Sequence, residues 1–388
     1  RPTKGELTMK LSNTKRLERL HERFANGDLD RRKFLTLTAA AATTAGLSLP
    51  WAGRALAAAQ EVRFDGWGGV VQEAIDKYAF QPYTAKTGIK VVQGTFGDEN
   101  EIITKIKTSN PGDFQVIHSS GVNYYIKYVN AGVTSEINEA NIPNLANVLE
   151  PMIAPFRKLT PKLSAVPYDY GTTGIAYNTT VISPEEAAEK GANLLSDPKY
   201  AGKIGGYADM TTRVWYAALS TGQDPNAIAD MDAVWAKVRE TRDLAKKFWS
   251  SGAELMDLLS KGEIVVTDAW SGRVAALQDQ GHPIGYLDPA GSYAWMEDML
   301  VLKGSPMAEC EELLNFMLDP ATSIAVAEGQ SYPPSLDPTK VKLTEKIEKL
   351  PAFDPTGTMS SLTFADPIYW ADNEDAWTKQ WDRISKGA

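Results

Sequence analysis

The sequence predicts an α/β protein of two interwoven lobes, and three observations carry that expectation. The first is the repeated alternation of short apolar strands with amphipathic helices, the pattern that builds a parallel sheet with right-handed crossovers. The second is length. At 388 residues the chain exceeds one ordinary core and suits about two domains. No internal repeat, low-complexity tract or Pro/Ser-rich linker divides it, so the lobes are expected to be woven together rather than strung in sequence. The third is the stretch from Val166 to Asn178. It reads as an extended entry set by Pro167, a bend permitted by Gly171 and Gly174, and a strand into new territory, with Tyr168, Asp169, Tyr170 and Tyr177 passing the floor of a cleft. Tyrosines packed around a plain β-turn give the same pattern.

Residues 1–59 read as a leader outside the fold. Asp30-Arg31-Arg32-Lys33-Phe34-Leu35 precedes a weakly apolar run of Ala, Thr and Leu that ends in Ala57-Ala58-Ala59, a small-residue cleavage pattern. The paired arginines resemble a twin-arginine export signal. The expected mature chain opens with a strand from Glu61 that runs into Trp67 and a glycine-flanked loop, then a helix over 70–87 ended by Gly88, then a strand from Ile89. Ligands on such sheets bind beyond the carboxyl ends of the strands, which is where Trp67 sits. A helix over 100–109 and a strand over 114–118 follow. Ser119-Ser120-Gly121 forms the next strand-end loop, whose serines serve equally as helix caps or ligand anchors. Beyond the crossing, Asp209 to Val214 opens a helix with Arg213 in its first turn, and helices are expected over 231–249. The strand from Glu263 ends in Trp270-Ser271-Gly272-Arg273, read as the second crossing. Residues from Tyr286 and from Trp295 are further extended elements.

Composition excludes several function classes. Hydrophobic residues make up 43% and charged residues 23%, as expected of a globular domain rather than a disordered chain or membrane bundle. The formal charge is −9. Residues 1–59 hold 11 Lys or Arg and 5 Asp or Glu, which leaves 29 basic and 44 acidic residues from Gln60 onward, a net of −15. A body this acidic does not suit a nucleic-acid partner. The single Cys310, in a helical pattern, reads as a structural residue rather than a nucleophile. Of the three histidines, His21 lies in the leader, and neither His118 nor His282 has metal-ligand spacing to another His or Cys. No Gly-x-Gly-x-x-Gly, phosphate loop or Gly-x-Ser-x-Gly elbow occurs, so no cofactor and no catalytic role are expected; an exported enzyme is the minor alternative.

Several stretches, taken in order and spacing, resemble the extracellular solute-binding proteins of ABC importers, in particular the spermidine and putrescine type. They are the strand ending at Trp67, Thr87-Gly88-Ile89-Lys90-Val91, Ser119-Ser120 after a strand, Val166-Pro167-Tyr168 with Gly171 to Gly174, Tyr200-Ala201-Gly202-Lys203, Gly262-Glu263 leading to Trp270, Trp295-Met296-Glu297, and Leu314 to Pro320. The resemblance covers nearly the whole mature chain. It implies a two-lobed periplasmic-binding-protein fold of type II, with 60–168 plus 270–304 as lobe 1 and 169–269 plus 305–388 as lobe 2, hinged around one small ligand. It also implies a monomeric periplasmic protein that delivers its ligand to an inner-membrane permease.

Ligand-binding residues implied by the resemblance or by their place at the cleft are Trp67, Ser119, Ser120, Asp169, Tyr170, Arg213, Trp270, Arg273, Trp295 and Glu297. Aromatic faces suit polyamine methylenes and ammonium groups, and a desolvated cation needs a carboxylate partner. Here the sequence departs from the polyamine type: Thr212 with Arg213, and Arg273, stand where that type carries acids. Arginine forks suit carboxylates, so the expected ligand is either a polyamine or an amino or carboxylic acid derivative. A ferric-ion carrier is the nearest alternative, on the adjacent Tyr124 and Tyr125. Consecutive helical residues point about 100° apart, so one of the two is expected in the core.

Overall fold

The computed structural model describes residues 61–387. The leader expectation therefore lies outside the described residues. Among them no helix is long and apolar enough to cross a membrane.

The first half is built as the alternation predicts. Strand β1 (Glu61–Gly66) runs through Gly68 into α1 (Gly69–Ile75), which continues by a π-helical turn (Asp76–Phe80) into α2 (Gln81–Thr87). Gly88 ends it in the left-handed conformation, φ 77°, where glycine carries no Cβ penalty. Strand β2 (Lys90–Thr95) lies parallel to β1. Helix α3 (Glu99–Thr108) is capped by Asp98, which accepts from the Glu101 N–H, and precedes β3 (Val116–Ser119), parallel to β1 on its other side. Helices α4 (Val122–Asn130) and α5 (Glu150–Leu159) follow.

Strand β4 (Ala165–Asn178) is the axis of the molecule. All but its last residue are buried, although Asp169 stands among its apolar, aromatic and small residues. The expected bend is absent: Gly171 and Gly174 lie within one continuous strand and neither has positive φ. The irregularity sits instead at a register shift between Pro167 and Asp169, where proline cannot donate to the ladder. The glycines serve close approach. A Cβ on Gly171 would stand 2.6 Å from the indole of Trp295.

In the second half, α6 (Pro184–Lys190), β5 (Ile204–Tyr207), α7 (Met210–Ser220) and α8 (Met231–Leu244) lead to β6 (Ala245–Trp249), parallel to β5. Residues 245–249 are thus a strand and not the end of a helix. Trp249 is buried and Phe248 half-buried against neighbouring elements there, and sheet pairing overrides local helical propensity. Helix α9 (Gly252–Ser260), β7 (Val266–Trp270), α10 (Ser271–Asp279) and β8 (Ile284–Leu287) follow, and β9 (Tyr293–Val301) returns to the first half by pairing with both β4 and β3. The sheet order is β2-β1-β3-β9-β4-β7-β5-β6, with β8 beside β4 and β10 (Thr363–Phe364) beside β9. Helices α11 (Met307–Met317), α12 (Pro320–Gln330), α13 (Glu345–Glu348) and α14 (Pro367–Ser385) complete the chain.

The core clusters show which elements pack together. The return crossing is β9, not Trp270 to Arg273, which turns directly from β7 into α10; Val274 and Leu277 of α10 pack with Ile284 of β8 in the second half. Leu313, Leu314 and Met317 of α11, and Val326 of α12, join the first-half core with Phe64, Val116 and Leu300. Trp370, Trp377 and Trp381 of α14 join Trp215 and Trp235 of the second half. Cys310 is fully buried in the first core, as a structural residue should be, and burial pushes its thiol up to about 12.

Candidate functional site

A cleft of about 620 Å³ opens where the ends of several strands meet. Strand β1 delivers Trp67, β3 delivers Ser120, β7 delivers Trp270, and β9 delivers Trp295 and Glu297, all of which line it. The first turn of α10 adds Arg273, the start of α7 adds Asp209 with Thr211 and Thr212, the segment after α12 adds Tyr332, and α14 adds Trp370 and Glu374.

The aromatic walls pack on neighbouring rings, most of which line the cleft as well. Trp67 packs on Phe96 with ring centroids 4.7 Å apart, Trp270 meets Tyr207 and Trp249 edge-on at 5.0 and 5.1 Å, and Trp295 meets Tyr332 edge-on at 4.9 Å. The indole N–H groups of Trp67 and Trp295 are buried and make no hydrogen bond within the protein. Arg273 lies with its guanidinium 5.8 Å from the ring centre of Trp270 and 6.0 Å from that of Tyr332, and its Nη1 is also buried without a partner. Donors of this kind cost free energy unless something accepts from them.

Glu297 forms the floor, and beneath it stand His118 and Asp169. His118 Nε2 is 3.0 Å from Glu297 Oε2 without the alignment of a hydrogen bond. Gln330 donates to Asp169 Oδ2 at 2.5 Å. Burial pushes the Glu297 carboxyl up to about 7, with a hydrogen bond from Asp169 and the charge of Arg273 opposing the shift. Burial and the neighbouring Glu297 hold Asp169 well above the usual carboxylate range, and burial lowers His118, which keeps the imidazole neutral. Nearby, Glu99 accepts from the Ser120 N–H at 3.0 Å and is pushed up to about 7 by burial.

The family model described as bacterial extracellular solute-binding protein matches residues 78–355. The chain belongs to this family. It is a solute-binding protein of the kind that serves ABC importers, and not an enzyme. Among curated relatives, the spermidine/putrescine-binding periplasmic protein of Escherichia coli is 25% identical over 260 residues, covering 65% of this chain and 72% of that one. A putrescine/agmatine-binding protein of Pseudomonas aeruginosa is 25% identical over 381 residues, 92% of this chain and 100% of that one. Among solved structures, the binding protein MotA of Agrobacterium tumefaciens in complex with glucopine aligns with a TM-score of 0.71 at 21% identity, covering 84% of this chain and 99% of that one. The fold is the two-lobed periplasmic-binding-protein fold.

Of the residues expected at the site of this solute-binding protein, the structure brings Trp67, Ser120, Trp270, Arg273, Trp295 and Glu297 to the cleft. Four stand elsewhere. Arg213 turns away from the cleft into the second half, where it is 3% exposed, forms a buried ion pair with Asp268 and lies over the Phe248 ring. Asp169 is fully buried below the floor rather than on it, and Ser119, the last residue of β3, is fully buried one residue before Ser120. Tyr170 is buried in the first core and its hydroxyl accepts from the Asp354 N–H at 3.3 Å. Of the tyrosine pair, Tyr124 lines the cleft while Tyr125 is core, hydrogen-bonded through its hydroxyl to Thr160 at 2.7 Å. Sequence reasoning missed Asp209 and Tyr332. The signal for Asp209 was its place as N-cap of α7, accepting from the N–H and hydroxyl of Thr212.

Proposed function

We propose that this chain captures, between its lobes, a ligand carrying both a carboxylate and an amine, and delivers it as a monomer to an ABC permease. The observation that carries the reading is Arg273, a buried guanidinium on the cleft wall with an unpartnered Nη1 and no carboxylate bonded to it. A ligand carboxylate fits that fork, the amine pairs with Glu297, and the tryptophan faces hold the methylenes between them. A diamine would place an ammonium group beside Arg273, and like charges juxtaposed in a desolvated site cost several kcal/mol. The relatives named for putrescine support an amine in the ligand, and the carboxylate rests on Arg273.

Two molecules test the reading, because 4-aminobutyrate is putrescine with one ammonium end replaced by a carboxylate. Calorimetry on the purified protein is expected to show 4-aminobutyrate or a larger amino acid derivative bound more tightly than putrescine or spermidine. Tight binding of putrescine or spermidine that no carboxylate-bearing ligand competes with would restore the plain polyamine reading. The reading includes periplasmic delivery by the twin-arginine route, supported by Arg31-Arg32. Arg31→Lys with Arg32→Lys is expected to hold the protein in the cytoplasm, and normal periplasmic levels of that variant count against the route.

A further inference from the structure

The paired carboxylates beneath the cleft carry a statement about specificity. Asp169 and Glu297 are direct partners across the β4–β9 ladder, and the candidate donor atoms of His118, Asp169 and Glu297 all lie within 4.8 Å of one another. Asp169 is fully buried, Gln330 occupies its Oδ2, and its Oδ1 has no donor among the described residues. Two carboxylates set against each other in a dry site are two acceptors without a proton between them, an arrangement that only a cation can relieve.

We propose that this cation is a proton: Asp169 stands as a neutral acid that donates its O–H to Glu297, so that the cleft floor presents one negative charge instead of two. Asp169 is therefore a positioning and specificity-determining residue. With Arg273 on the wall, the neutral acid leaves the site matched to one ammonium group and one carboxylate. A floor with both carboxylates ionised would match a dication. The inference rests on the ligand reading above for its consequence, but not for its evidence.

The same three side chains have the donor types of a divalent metal site. Arg273 argues against that occupant, because its charge already acts on Glu297 from the wall and would repel a dication. The other titratable groups facing the pair are His118 from β3, lowered by burial, Tyr168 from β4 and Tyr332 beyond α12, while Glu99 of α3 and Asp298 of β9 are themselves raised in part by the charge of Glu297. Of these only His118 could set a positive charge against Asp169, and burial lowers its affinity for a proton.

Difference infrared spectroscopy of the ligand-free protein at neutral pH against Asp169→Asn tests the proton directly. A protonated-carboxyl C=O band present in the unmodified protein and missing from the variant is expected; its absence overturns the proposal, as does a stoichiometric divalent metal on the purified protein that Asp169→Asn releases. Binding of 4-aminobutyrate adds a second reading. Asparagine keeps a donor toward Glu297, so Asp169→Asn is expected to weaken binding by no more than about threefold and Asp169→Ala by about tenfold or more, the latter reflecting a lost hydrogen bond to a charged group. Equal losses in both variants overturn the donor role. If neither 4-aminobutyrate nor putrescine binds, the ligand reading fails, and the infrared band still decides the state of Asp169.

Discussion

Helices α7 and α10 begin alike and end up with opposite roles. Each follows a strand of the second half and carries an arginine in its first turn, Arg213 in one and Arg273 in the other. On α7 the arginine is the fourth helical residue and turns inward to Asp268, whose carboxylate also accepts from the Tyr207 N–H. On α10 it is the third, and it faces the cleft with a donor to spare. One position on a helix is a rotation of about 100°, enough to convert a ligand contact into a structural ion pair. A charge at a helix start is therefore not a site until its partner is known.

The sharpest way to break this comparison is to remove the inward arginine. Arg213→Met leaves Asp268 buried and unpaired, and breaking a buried pair in this way costs about 3 to 5 kcal/mol. Thermal or urea denaturation is expected to show that loss. A variant of normal stability that no longer binds ligand would return Arg213 to the site.

Arg273→Asp is the counterpart on the cleft side. It removes the partner of the ligand carboxylate and sets a second acid near Glu297, so affinity for 4-aminobutyrate is expected to fall by about 2 to 5 kcal/mol while putrescine gains. Stability should change less than in Arg213→Met, since Arg273 acts on Glu297 only at a distance and forms no direct ion pair like that of Arg213 with Asp268. An unchanged order of ligands in competitive calorimetry would show that Arg273 does not touch the ligand.

Trp270→Ala sharpens the same contrast from the neighbouring residue. As a binding hot spot its loss weakens ligand affinity by about 2 to 4 kcal/mol with the fold intact. Trp249 and Tyr207 pack against it, and unfolding of the variant at ambient temperature would mean that this packing, not the ligand, is what the ring serves.

What the sequence showed of this site follows a physical divide. Trp67, Ser120, Trp270, Trp295 and Glu297 were legible because each lies on or just beyond a strand, and α/β sheets put their sites near strand ends. The parallel alternation of the first half was legible for the same local reasons of period and turn chemistry. Pairing between distant segments was not. Strand β9 reads as one extended run among others until it is seen beside both β3 and β4. Helix α14 carries three buried tryptophans, and nothing in its spacing says which core they enter. Tyr332 and Glu374 reach the cleft through such long-range docking, which no local pattern encodes.

The smallest expected effect lies at the cleft mouth, where the two halves touch through side chains. Lys127 of α4 is held on its own side by Asn100, 3.1 Å away, and by the Tyr124 ring, 4.2 Å from its ammonium to the centroid; it then reaches Glu374 of α14 at 2.6 Å. Helix α4 packs into the first core and α14 into the second, so this ion pair spans the halves. Both side chains keep about a third of their exposure, 27% and 33%, and pairs of that kind contribute about 0.2 to 1 kcal/mol and are screened by salt. Glu374→Gln is therefore expected to speed ligand release by up to about fivefold at low ionic strength, with the difference fading in high salt. Stopped-flow dissociation at the two salt concentrations measures it. Release rates that match the unmodified protein at low salt would mean that the contact closes nothing, and that the halves are held together by β4, β9 and the ligand alone.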